Sequence, residues 1–306
     1  MARSAHLVHV STEARAATAS ELRSFVAVSQ KRLFWRQFRR HRLAVISTAV
    51  LLVLAGMVIL APFIAPYPFD AIDPTQFRKP PSAAHIMGTD DIGRDLFTRL
   101  LYGGRISLAI GLFSALVGTG VGTLLGSLAG YYGRGLDNFI MRVTDVAFSI
   151  PSLPLLIILS AYAKSAIPVM ILVIGLLSWM STARIVRATV LSIRERDFTL
   201  AARAVGARDA RIITLHILPN ALAPIIVGAT LGVGGAIIAE SSLSFLGLGV
   251  QVPTPSWGNM LQDSQSTMSS RPWLTIFPGV AILITVLGIN FVGDGLRDAL
   301  DPTIRS

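Results

Sequence analysis

Residues able to do chemistry are sparse in this chain, and their spacing excludes most reactions. None of the 306 residues is cysteine, which removes thiolate nucleophiles, disulfides, Cys-zinc sites and iron-sulfur ligation together. The lysines are Lys31, Lys79 and Lys164, and none follows a glycine. No Gly-Lys-Ser/Thr loop therefore brings an ammonium to nucleotide phosphates, and neither a Gly-x-Ser-x-Gly elbow nor a His-Glu-x-x-His pair occurs. His6 and His9 stand three apart near the start, while His41, His85 and His216 are scattered, so no metal cluster is visible. The concentrated pattern is a charged stretch over 194–220, in which good helix formers run from Asp197, Gly206 breaks them, Asp209 starts a second helix and Pro219 leads into an apolar run.

The elements that position this stretch follow from hydropathy. The sequence is 52% hydrophobic and 14% charged, far from the roughly 25% charged residues of a soluble domain. A bilayer core about 30 Å thick calls for roughly 20 apolar residues in a helix. Six such runs occur, at about 43–64, 106–130, 139–163, 167–188, 221–240 and 273–292. With the N-terminus inside, the inner segments hold twenty basic and ten acidic residues and the outer ones seven of each, so the whole net charge of +10 lies on the cytoplasmic side. The basic character is thus a topology signal and not a nucleic-acid footprint. Lys31, Arg32, Arg36, Arg39, Arg40 and Arg42 interleave with Leu33, Phe34, Trp35 and Phe38, which predicts a helix at the headgroup level facing anionic lipid. Residues 1 to about 28 read as a flexible tail.

Within the spans, Asp145 has Arg142 as a helical neighbour for an ion pair. Glu240, at the outer end of span five, suits either a helix-end or inter-subunit hydrogen bond or a place in a substrate path. Gly118, Gly122, Gly126 and Gly130 share one helix face that packs within the chain or against a second subunit. Pro151 and Pro154 predict a bend in span three. Two long outer connections, 65–105 and 241–272, are rich in proline, and the stretch from Asp90 to Leu101 reads as a short helix across the outer surface.

The 194–220 stretch resembles the EAA loop of ABC importer permeases, whose pattern is Glu-Ala-Ala, three residues, Gly, nine residues, Ile-x-Leu-Pro. Ala201, Ala202, Gly206, Leu218 and Pro219 match in register, whereas Leu200 stands at the Glu position and His216 at the Ile position. Gly88-Thr89-Asp90, Gly93-Arg94-Asp95, Tyr102-Gly103-Gly104-Arg105, Met141-Arg142 with Asp145, the run from Glu240 to Gly249, and Pro255-Ser256-Trp257-Gly258 are similar to the C-type permeases of dipeptide and oligopeptide importers. Nickel and glutathione importers share most of these motifs.

The resemblance implies an all-α membrane protein of type I ABC importer permease fold: six transmembrane helices, a cytoplasmic EAA coupling helix and two long extracytoplasmic segments. Residues 1–42 form the tail and interfacial helix, 43–64 the first span, 65–105 an extracytoplasmic segment, 106–293 the core with its coupling loop 189–219 and outer loop 241–272, and 294–306 the cytoplasmic C-terminus. Ala201, Ala202, Arg203, Gly206, Ala207, Arg208, Asp209 and Pro219 are the expected ATPase-coupling residues, with Glu240 and Asp145 as candidates for the substrate path or a subunit contact. The chain itself is expected to be non-catalytic and to hold no cofactor or metal, ATP and magnesium belonging to two partner ATPases. A homologous permease, an extracytoplasmic peptide-binding protein and the lipid bilayer complete the expected partners. The competing class is an ion-coupled secondary carrier, which requires charged or unwound sites at mid-membrane.

Overall fold

A computed structural model describes residues 30–162 and 166–300, with side chains from residue 34 onward. The predicted tail, His6, His9, Lys31, Arg32, Leu33 and Lys164 lie outside what it describes in side-chain detail. Among the described residues the regular structure is helical, apart from one isolated antiparallel bridge between Thr89 and Asp95.

Helix α1 (Gln30–Arg40) ends at His41, whose ring accepts the Ala44 amide at 3.1 Å and so caps α2 (Arg42–Ile59). A short turn, α3 (Ala61–Ile64), leads into the first long connection. Next come α4 (Leu96–Tyr132), α5 (Arg134–Ser149), α6 (Ser152–Tyr162), α7 (Ile167–Leu176), α8 (Trp179–Arg194) and α9 (Asp197–Ala204). A continuous helix, α10 (Asp209–Phe245), then contains a π-helical segment at Ile212–Ile217. Helices α11 (Trp257–Ser264) and α12 (Trp273–Leu300) complete the chain.

Helices α2, α4, α10 and α12 are each long and apolar enough to cross a membrane. The pairs α5–α6 and α7–α8 are bent by 84° and 43°, and counting each pair as one span gives the expected six. The first bend falls at Ile150–Pro151, where proline withholds a backbone donor. We call the end of the bundle carrying α9 the lower end and the opposite one the upper end.

The glycine face of α4 packs inside the chain. A Cβ on Gly122 would lie 2.6 Å from the Trp179 carbonyl oxygen, and one on Gly126 2.5 Å from that of Ala183, so α4 and α8 touch backbone to backbone. Missing side chains are what permit this approach. At the lower end, Tyr131, Val186, Val190, Ile193, Ile212 and Ile217 form a buried cluster beneath which the coupling stretch sits. Phe38 of α1 is buried with Ala44 and Ala299, which fixes the N-terminal helix to the end of α12.

The stretch beginning at Asp90 is not a separate surface helix. Asp90 Oδ1 accepts the amides of Ile92 and Arg94 at 3.1 and 2.8 Å, closing a turn in which Gly88 and Gly93 both take φ +84°. Asp95 then accepts the Thr98 amide at 2.8 Å and starts α4, which continues unbroken for 37 residues. The cap and the local ion pairs satisfy the polar first turns, so nothing forces a break before the apolar run.

Candidate coupling site and membrane cavity

The coupling stretch is held by its backbone as much as by side chains. The buried Thr199 hydroxyl donates to the Ile193 carbonyl at 3.0 Å and anchors α9 to the end of α8. Gly206, at φ +81°, follows the helix end, and the Ala207 amide reaches back to the Ala202 carbonyl at 3.1 Å. This is the six-to-one hydrogen bond of a glycine-terminated helix, and a left-handed residue is needed to make it. Ala202 and Ala207 pack against the lower cluster. Arg203, Arg208 and Asp209 lie at the surface.

Tyr131, at the end of α4, donates its hydroxyl to Asp209 at 2.6 Å, and the Arg203 guanidinium lies 5.4 Å from its ring centre. Arg194 donates to the Tyr131 carbonyl at 3.1 Å and to that of Gly130 at 3.3 Å. Sequence reading missed both residues, since each acts across more than sixty positions. The only local signal was a tyrosine pair closing a long apolar run. Phe198 and Val205, seven residues apart, lie on one side of α9 and its cap, Leu200 lies on the opposite flank, and all three are exposed, Val205 at 88%. Exposed apolar side chains of this kind at the tip of an otherwise charged loop suit a protein partner. Leu200 stands at the position where the EAA pattern has Glu.

Pro219 lies in the first turn of the apolar part of α10 without interrupting the helix, which runs continuously from Asp209. Proline is accommodated because the π-helical turn before it already shifts the backbone pairing.

Asp145 pairs with Arg184 of α8 at 2.6 Å, and not with Arg142 as its helical spacing suggested. Both side chains are about half exposed, and Arg184 also covers the Phe148 ring at 4.3 Å. Packing of α5 beside α8 offers Asp145 a partner from another helix. A second inter-helix pair, Asp137 with Arg187, lies on the same two helices.

A cavity of about 450 Å³ opens between α4, α6, α7, α8 and α10. Thr119, Ser152, Ser178, Ser181 and Thr182 give it hydroxyls, Gly228, Gly232 and Gly235 give it width, and no ionisable residue lines it. Both helix breaks border this space, through Ser152 on one side and Leu177 and Ser178 on the other. Interrupted helices at membrane depth are tolerated where they line such a space. Glu240 is not among the lining residues. It is fully buried and bonded to serines of its own chain.

At the upper end, the Asp90 carboxylate takes Arg94 at 2.6 Å and Arg99 at 3.6 Å, while Asp263 on α11 takes Arg99 at 3.3 Å and Arg94 at 3.5 Å. His85 meets Asp95 at 2.9 Å. Burial holds the Asp263 carboxyl above the usual carboxylate range, although Arg99 and Arg94 pull it down. Two segments far apart in sequence are thereby joined by charge.

Comparison with known proteins assigns this architecture. Residues 122–306 match the model of the binding-protein-dependent transport system inner membrane component. The chain belongs to this family. Residues 29–81 match the N-terminal transmembrane domain of oligopeptide transport permease C. This inner membrane component is 43% identical to a dipeptide transport system permease protein of Alkalihalophilus pseudofirmus, across 92% of this chain and 93% of the relative. It is 41% identical to a glutathione transport system permease protein of Pectobacterium atrosepticum, across 97% and 99%. A chain of the MetNI methionine ABC transporter, solved in inward facing conformations, aligns with a TM-score of 0.56 at 20% identity, covering 66% of this chain and 97% of that one. That likeness gives the inner membrane component the type I ABC importer permease fold. It is a multi-pass membrane protein of a family whose members work with substrate-binding and ATPase components.

Proposed function

We propose that the chain is one permease of an ATP-driven importer, forming with a homologous permease the path by which dipeptides and oligopeptides enter the cytoplasm. The observation that carries this reading is the set of exposed apolar side chains on α9 and its cap, Phe198, Leu200 and Val205, on a stretch tied to three membrane helices through Thr199, Tyr131 and the buried cluster around Ile212. One of two cytoplasmic ATPases, which bring ATP and magnesium, docks on Ala201, Ala202, Arg203, Gly206, Ala207, Arg208 and Asp209. Pro219 lies where that lever becomes a membrane helix. Closure of the ATPases tilts the lever and the helices fixed to it as one body. An extracytoplasmic binding protein delivers cargo to 65–105 and 241–272, and the protein sits in the cytoplasmic membrane with both termini inside, as its basic inner segments support.

The cavity between α4, α6, α7, α8 and α10 is the part of the path this chain supplies. Its few hydroxyls offer hydrogen bonds to a peptide backbone, and no fixed charge on its wall selects one sign of side chain over the other. Glutathione is the second reading, favoured by the 41% identity to a glutathione permease; it is itself a short peptide. Uptake of labelled dipeptide, tripeptide and glutathione by the reconstituted assembly separates the two. Bulky substitutions at Ala202 and Gly206 test the lever: both ATPase binding and uptake are expected to fall, and survival of both sinks the assignment.

A further inference from the structure

Glu240 has 0% of its surface exposed and forms no ion pair among the described residues. Its neighbours are hydroxyls. Ser107 of α4 donates to Oε2 at 3.1 Å, and Ser244, one turn further along α10, donates to Oε1 at 2.7 Å. Each of these serines also accepts from the upper loop. Ser107 Oγ takes the Trp257 amide at 3.1 Å, and Ser244 Oγ takes the Val250 amide at 3.3 Å.

Two chains of hydrogen bonds therefore start at backbone amides, that of Val250 in the loop and that of Trp257 at the head of α11, pass through a serine and end on one carboxyl group. A backbone amide can only donate, so each serine accepts there and turns its single proton toward Glu240. Close backbone contact reinforces them: a Cβ on Gly258 of α11 would lie 2.7 Å from the Ser241 Cα. The same α10 runs for 37 residues to Asp209 at the lower end, about 55 Å at 1.5 Å per residue.

We propose that Glu240 is a positioning residue that makes the loop 246–256 and α10 a single mechanical body, so that a binding protein touching the exposed Val252 region shifts the coupling stretch at the opposite end. The inference rests on the reading that the delivery protein docks on the upper segments.

The test uses the full assembly in proteoliposomes, with ATP hydrolysis measured with and without peptide-loaded binding protein. A wild-type assembly that shows no stimulation overturns the docking reading before Glu240 is altered. Given stimulation, Glu240→Gln keeps the shape but presents an amide donor to one serine, whose own proton then loses its acceptor. The ratio of stimulated to unstimulated hydrolysis is expected to fall by at least about fivefold, the low end for coupling between sites. An unchanged ratio overturns the proposal. So does an equal loss of both rates, which marks a purely structural role. Ser107→Ala removes one of the two chains and leaves the carboxylate on Ser244, and it serves where the glutamine variant does not assemble. A partial fall of the ratio supports the proposal, and a wild-type ratio overturns it.

Discussion

The Arg99 guanidinium lies 3.3 Å from the Asp263 carboxylate, 164 positions later in the chain, with 1% of the arginine side chain exposed. This contact and the one to Asp90 neutralise a charge at the start of a membrane helix. Arg99→Ala leaves two carboxylates facing each other with only Arg94 between them. It is expected to lower stability by about 3 kcal/mol, the scale for stripping one partner from a buried pair. Chemical unfolding of the purified protein in detergent measures it.

Asp263 also sets a pH dependence. Burial raises its folded pKa above the ordinary value of 3.8, and Asp90 and Asp91 push in the same direction. A carboxyl that holds its proton more tightly when folded stabilises the protein most when protonated. Stability from this group is therefore greatest below the unfolded value and falls as pH rises through the window above 3.8. Asp73 has the opposite sign. The Thr75 hydroxyl and amide lower its pKa, so its contribution is present above 3.8 and lost as pH falls below it. Melting curves of wild type and Asp263→Asn between about pH 4 and 6 are expected to diverge, the variant losing the downward slope.

The glycine ridge yields a contrast within one helix. Gly126→Ala forces a methyl to within 2.5 Å of the Ala183 carbonyl oxygen, which is backbone and has no rotamer to escape into. A loss of about 1–3 kcal/mol is expected, the usual cost of overpacking. Gly120→Ala meets open space and is expected to gain about 0.5–1 kcal/mol from helix propensity. Thermal unfolding of the two variants side by side reads the difference.

The apolar runs were enough to read an all-helical membrane protein of up to six spans, and the residue pattern over 197–219 a short helix, a glycine turn and a second helix, because helix period and membrane thickness leave few alternatives. What remained hidden involves partners distant in sequence. Spacing offered Arg142 to Asp145, but only the packing of α5 on α8 makes Arg184 the partner. Asp90 to Leu101 looked like an independent helix because its charges suggested a surface element, whereas the local Asp95 cap starts the long α4 and the counter-charge that buries Arg99 comes from the distant Asp263. Tyr131 carried no motif at all. The bend at Pro151 was expected, although its 84° was not legible in composition.

A chain free of cysteine invites a direct probe of the cavity. Ser181→Cys places a single thiol on its lining. Treatment with a bulky charged thiol reagent is expected to abolish peptide uptake, whereas the untreated variant transports normally. Persistent uptake after complete labelling removes this cavity from the path.

Tyr131→Phe deletes the hydroxyl that reaches Asp209. The fold should lose about 1 kcal/mol, the net worth of one such bond. The larger expected effect is on coupling: hydrolysis by the assembled importer continues while peptide moved per ATP declines. A stoichiometry measurement in proteoliposomes checks this, and an unchanged ratio removes Tyr131 from the lever.

The bond from Arg99 to Asp263 also imposes an order on biogenesis. At ribosomal speeds of about 5–20 residues per second, the arginine waits roughly 8 to 33 seconds for its distant counter-ion to be made. A nascent protein cut short in that interval leaves the guanidinium with Asp90 alone and its far side open to water. The finished network thus requires that translation has passed the fifth hydrophobic segment.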